Sequence, residues 1–226
     1  MVGCPLLINN AWVRIPGDNQ LQQRRRPPCY DPADESAPTK SMSTVVETRA
    51  TRAVPSYDPV ARVAHWLTVL LVAAQFVVGW TMPDIHKGTQ PVGLIAWHLV
   101  LGSTLLVVVV FRLAWRLTHQ PPPPTPGLPA WQIRTASITH AALYALLLLV
   151  PITGWASASA RVWVVRAFGV LPFPQILPPH ARIGFRLGDI HGDLLAWMLL
   201  GVLTLHVLAA LYHRFVLRDR VLDRML

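Results

Sequence analysis

Three histidines stand in one apolar stretch. His191, His206 and His213 lie within residues 189–215, which read DIHGDLLAWMLLGVLTLHVLAALYHRF. A helix crossing a bilayer needs roughly 20 apolar residues, and ionisable groups at that depth are costly and usually functional. His191 and His206 are 15 residues apart, which on an α-helix is a rise of roughly 22 Å and an angular offset of about 60°. One helix face therefore offers two imidazoles, one near each side of a membrane. Two haems stacked across a bilayer would need that arrangement on one helix.

Partners for these imidazoles must come from other spans. The first span follows Tyr57-Asp58-Pro59, runs ARVAHWLTVLLVAAQFVVGW and ends near Met82-Pro83, with His65 close to its start. The second runs IAWHLVLGSTLLVVVVFRLAW, with His98 close to its start and Arg112 and Arg116 at its far end. HQPPPPTPGLP then reads as a stiff extended linker. The third span is expected over residues 138–155, contains His140 and is interrupted by Pro151. Residues 156–188 are expected to be a long loop with two apolar patches, VWVV and LPFPQILPP.

Four spans put both ends of the chain on one side. That side collects nine basic residues: Arg52, Arg62, Arg112, Arg116, Arg134, Arg214, Arg218, Arg220 and Arg224. The other side collects five: Lys87, Arg161, Arg166, Arg182 and Arg186. The positive-inside rule then predicts both termini in the cytoplasm. With that orientation, His65 and His206 share the inner half, and His98 and His191 share the outer half. Bundle cores hold cofactors through side chains on facing helices. Iron held by two imidazoles has no open position, so it transfers electrons and does not readily bind dioxygen.

A single histidine in such a helix is more often a packing residue than a ligand, but two depth-matched pairs are hard to reach by chance. Zinc is the rival metal, and its structural sites need four close ligands; two-and-two at opposite faces favours haem. Gly102, four residues after His98, and Gly201, between His191 and His206, offer room for a flat macrocycle or for ordinary helix contact. Cys4 and Cys29 sit near the N-terminus, and the absence of CxxCH argues against covalent haem.

Composition agrees with a membrane domain, since 53% of residues are hydrophobic and only 14% charged. Residues 1–50 hold six basic and five acidic side chains, leaving 14 basic against six acidic in the rest. That excess flanks apolar helices, which fits membrane lipid and orientation and gives no reason to expect nucleic acid. Residues 1–50 are proline-rich without periodicity and are expected to be a disordered arm, with Met42 an alternative start. Residues 51–226 form the membrane domain.

The ordered set ARVAHW, AWHLVLG, the proline-rich linker, THAALYALLLLVPITGW, IHGDLLAW and LHVLAALYH resembles the bacterial cytochrome b561 family, over about residues 57–226. The resemblance implies an all-α four-transmembrane-helix bundle holding two b-type haems on the residues matching His65, His98, His191 and His206. It also implies electron exchange with quinone, ubiquinone in particular, and residence in the bacterial inner membrane. Some members resemble superoxide oxidases, which pass an electron from periplasmic superoxide to ubiquinone; related cytochromes anchor hydrogenases and other dehydrogenases. His213, seven residues after His206 and about 20° off its face, is the candidate catalytic residue at a quinone headgroup.

Three functions compete. The first is a self-contained oxidoreductase, with Arg161, Arg166, Arg182 and Arg186 attracting superoxide. The second is an electron-transfer subunit docked to a hydrogenase, dehydrogenase or periplasmic redox protein through the apolar patches. The third, a proton-relay transporter or sensor, is weakened because only Asp189 and Asp193 approach the last span.

Overall fold

The computed structural model describes residues 7–8, 11–12, 56–86, 88–120, 122–123, 128–219 and 221–225. It divides into two units, Met1–Arg52 and Ala53–Leu226. In the first, β1 (Leu7–Ile8) and β2 (Ala11–Trp12) pair antiparallel, Leu7 opposite Trp12. The expectation of a disordered arm otherwise falls outside the described residues.

The second unit carries four helical spans long and apolar enough to cross a membrane, the fold class expected from the sequence. α1 (Pro59–Thr81) begins with proline in its first turn, where no N–H is missed, and Asp58 accepts the Ala61 N–H at 2.9 Å. That bond, with the Trp115 indole at 3.1 Å, holds the Asp58 carboxyl below its usual range. α2 (Leu94–Thr118) follows a turn at Gly93, whose φ of 59° suits glycine.

α3 (Ala130–Ala160) is longer than the sequence suggested at both ends and runs through Pro151. The proline deprives one carbonyl of its helical donor, but neighbouring helices satisfy such gaps in membranes. The Thr153 hydroxyl adds local support, donating to the Leu149 and Val150 carbonyls at 2.9 and 2.8 Å.

The expected long loop is largely ordered. Residues 162–167 alternate exposed Val162, Val164 and Arg166 with buried Trp163, Val165 and Ala167. β3 (Arg166–Ala167) pairs with β4 (Leu171–Pro172) around a turn at Phe168-Gly169. The Phe168 N–H donates to Thr104 Oγ1 at 2.8 Å. Thr104 is six residues past His98, so this hairpin tip sits roughly 9 Å deeper along α2 than that histidine.

The last span starts earlier than expected, at α4 (Arg182–Asp189), and continues without a break through a π-helical turn (Ile190–Leu195) into α5 (Ala196–Tyr212) and a second π turn (His213–Leu217). The tail returns to the start of the unit, where Tyr57 N–H donates to the Arg224 carbonyl at 3.1 Å. The first and last described segments of this unit therefore lie on one face.

An apolar cluster of Val72, Leu105, Val109, Leu143, Leu146, Leu147 and Leu199 joins all four spans at mid-depth. A second cluster, Ile95, Ala158, Trp163 and Val165, joins the segment leading into the β3–β4 hairpin to α2 and α3.

Candidate functional site

Polar chemistry collects on either side of the mid-depth apolar layer. On the hairpin side, His98 of α2 and His191 of the π turn meet with ring centres 5.9 Å apart and planes at 87°. His191 lies within this π turn, its carbonyl accepting the Ala196 N–H five residues on. A π turn absorbs about one extra residue, so the 15-residue step to His206 acts as about 14, and the offset passes from about 60° on one side to about 40° on the other.

His191 is aimed by a hydrogen bond. Its Nδ1 donates to the Val150 carbonyl at 2.7 Å, which leaves Nε2 as the free lone pair. Metal-binding histidines are commonly fixed in this way. Gly154 makes room for the ring: a Cβ there would lie 3.0 Å from His191 Cε1. His98 Nδ1 is buried without a hydrogen-bond partner, and Gly79 is packed against its ring. A cavity of about 190 Å³ lined by Gln75, His98, Gly154, Trp163, Arg161 and His191 opens beside the pair. Two imidazoles on opposite sides of one iron have ring centres about 6 Å apart, since a metal–imidazole bond is roughly 2 Å. The pair fits a bis-imidazole haem.

Gly102 lines the same cavity and is also a helix contact, the two roles the sequence left open for it. A Cβ there would lie 2.8 Å from Gln75 Nε2, which itself donates to the His98 carbonyl at 3.0 Å. Gly201 faces outward with nothing within 4 Å of a Cβ built on it.

The other cluster holds three histidines and an arginine. His206 makes its ring contact with His140, at 5.3 Å and 76°. His65 is within electrostatic range of both, and its Nδ1 accepts from Arg112 Nη2 at 2.9 Å. The structure thus brings His65 and His206 into one cluster, without a ring contact between them. The Arg112 guanidinium also lies over the Tyr144 ring, 5.4 Å from its centre. Beside it, a cavity of about 620 Å³ opens at the face that carries the tail, lined by Tyr57, Asp58, Arg112, Trp115, Arg116 and Tyr144 among others.

His213 opens the second π turn, with the Arg218 N–H reaching its carbonyl five residues back. Its Nδ1 donates to Asp219 Oδ2 at 2.5 Å, and Asp219 is held in turn by the Val221 N–H at 3.1 Å. Arg218, in the left-handed region at φ 51°, reverses the chain and brings Asp219 back. Periodicity could not reveal this partner, because the contact exists only after the helix has ended.

Among Arg161, Arg166, Arg182 and Arg186, Arg161 lines the cavity at His98 and His191 and is held over the Trp163 and Phe185 rings at 5.4 and 5.1 Å. Arg166, Arg182 and Arg186 are exposed.

Four apolar spans with imidazoles gathered at two depths define an all-α membrane protein of the haem-binding, electron-transferring class. The chain belongs to the prokaryotic cytochrome b561 family, whose model matches residues 56–226. It is a multi-pass membrane b-type cytochrome. It is 32% identical to the probable superoxide oxidase CybB of Yersinia pestis over 171 residues, 72% of this chain and 90% of that protein. Cytochrome b561 homolog 2 of Escherichia coli (strain K12) is 28% identical over 177 residues, 75% and 90% of the two chains. Cytochrome b562 of Cereibacter sphaeroides is 28% identical over 182 residues, 76% and 96% of the two chains.

Proposed function

We propose that this cytochrome carries electrons across the bacterial inner membrane, between a periplasmic donor and the quinone pool, with both termini in the cytoplasm. Its residues would hold two b-type haems: His98 and His191 the outer one, His65 and His206 the inner one. The observation that carries the reading is the depth separation of the two histidine clusters by a continuous apolar layer. A haem with two imidazole ligands supplies one-electron transfer with no open position for dioxygen.

The chain's own groups take the remaining roles. Val150 fixes the His191 tautomer through Nδ1, which raises the basicity of Nε2. The apolar layer excludes water between the clusters. At the inner end, Asp219 holds His213 through Nδ1, so that Nε2 is the atom offered to a quinone oxygen, to deliver or accept a proton as the headgroup is reduced or oxidised. Arg161, at the outer cavity, offers a fixed positive charge to an anionic donor. Superoxide is such a donor, and the likeness to a probable superoxide oxidase supports it.

Redox titration of the purified protein tests the reading. Two spectrally distinct haem b components are expected, one reduced by superoxide from outside and both oxidised by ubiquinone; a single component would overturn it.

A second reading, an electron-transfer subunit anchoring a hydrogenase or dehydrogenase, is favoured by the exposed apolar hairpin, where Val164, Phe168, Val170 and Leu171 are each more than half exposed. Isolation from native membranes with a bound large subunit would decide for it.

A further inference from the structure

We infer that Arg112 is a positioning residue for the inner haem, holding a fixed positive charge against His65 and exchanging that contact for the haem's carboxylates when the site is filled. The inference rests on the inner-haem assignment proposed above.

Guanidinium has five donors and no acceptor, and it stays charged. Arg112 Nη2 lies 2.9 Å from His65 Nδ1, so Nδ1 must be the acceptor and the His65 proton must reside on Nε2. An imidazole that binds iron through Nε2 needs that lone pair free, with its proton on Nδ1. The observed Arg112–His65 contact and the ligand form of His65 are therefore mutually exclusive. His191 shows the opposite arrangement, its Nδ1 donating to Val150. The two candidate ligands are thus prepared differently, His191 set for iron and His65 held by an arginine.

Depth makes the charge consequential. Arg112 is 14 residues past His98, or roughly 21 Å along α2, and six residues short of the helix end at Thr118. A cation inside a span is expensive and marks function. Here its surroundings contain no described carboxylate bonded to it: Tyr144 offers its ring face, and Arg116, His140 and His206 bring further nitrogen groups. Asp58, the acidic group of the adjoining cavity, is engaged by Ala61 and Trp115 instead. A buried charge of this kind calls for an anion. The cavity of about 620 Å³ that Arg112 and Arg116 share opens beside His65's neighbour Ala64, and these two guanidinium groups would be the ones to receive the carboxylates of a haem held by the inner cluster. Freed from His65, Arg112 would supply a bidentate fork to one of them. Either way its positive charge would stay within the haem site and would favour the reduced, less positive state.

Haem content and potentiometric titration of Arg112→Gln and Arg112→Lys, compared with the unaltered protein, test this. In Arg112→Gln the midpoint potential of the inner component should fall, with the outer component unmoved; Arg112→Lys should recover much of the shift. Loss of the inner haem in Arg112→Gln that Arg112→Lys restores also supports the inference. An inner potential unchanged in Arg112→Gln at full haem content overturns it, and so does inner haem lost equally in both variants. If the unaltered protein carries only one haem, the inner-haem assignment itself has failed; two haems with an indifferent Arg112 sink this inference alone.

Discussion

His191 Nδ1 donates to the carbonyl of Val150, the residue immediately before Pro151, across the contact between the last span and α3. The same histidine lies within a π turn, and its ring meets that of His98. A backbone irregularity and a side-chain hydrogen bond together aim one imidazole, as ligand sites commonly require.

The cofactor count comes first. Purified in mild detergent, the protein should carry about two haems b per chain in the pyridine haemochrome assay, following the two histidine clusters. A stoichiometry near one, after expression with ample haem supply, contradicts the two-site reading.

Ligand loss should respect depth. His98→Ala and His191→Ala should abolish the outer spectral component, and His65→Ala and His206→Ala the inner one, because removing an axial ligand leaves the iron with an empty position. His140→Ala is the informative control: its ring touches His206, yet both components should persist. Loss of the same component in His98→Ala and His65→Ala would refute the assignment.

Quinone chemistry should depend on the inner dyad. His213→Ala should slow quinol-driven haem reduction by roughly 10²-fold or more, the usual scale for a lost general acid–base. Asp219→Asn should slow it less, since it removes the orienting carboxylate and leaves the imidazole. Stopped-flow absorbance reads both, and reduction by superoxide from the outer side should be nearly unaffected.

Outer charge should show in salt dependence. If Arg161, Arg166, Arg182 and Arg186 steer superoxide, haem reduction should slow as salt shortens the Debye length to about 10 Å at 0.1 M. Replacing all four with Gln should slow reduction at low salt and flatten that dependence. Arg161→Gln alone should produce the largest single effect, because it alone of the four lines the cavity at His98 and His191. A rate indifferent to salt and to all four changes would favour the docked-subunit reading.

Helix contact at the outer side should be intolerant of volume. A Cβ on Gly184 would collide with Ala160 Cβ and come within 3.1 Å of the Ala156 carbonyl. Gly184→Ala should therefore destabilise the bundle by about 1–3 kcal/mol through overpacking. Thermal loss of the Soret band should show a lower midpoint, whereas Gly201→Ala, open on all sides, should leave it unchanged.

Sequence alone determined the number and order of spans, because a run of roughly 20 apolar residues has few alternatives to crossing a bilayer. It also determined the depth of His65, His98, His191 and His206, since rise per residue converts position into height. Apolar periodicity could not set the ends of α3, where the mixed polar and apolar residues 130–137 are helical before the continuous apolar run begins, nor the order of residues 162–176, where Thr104 receives the Phe168 N–H. Only tertiary structure decided which imidazoles touch and what each ring nitrogen faces. Arg112 reaches His65 across 47 positions of sequence, and Asp219 reaches His213 only because Arg218 turns the chain back. Spacing fixes height along one helix, whereas tautomer and charge at a histidine are set by groups that another part of the chain brings to it.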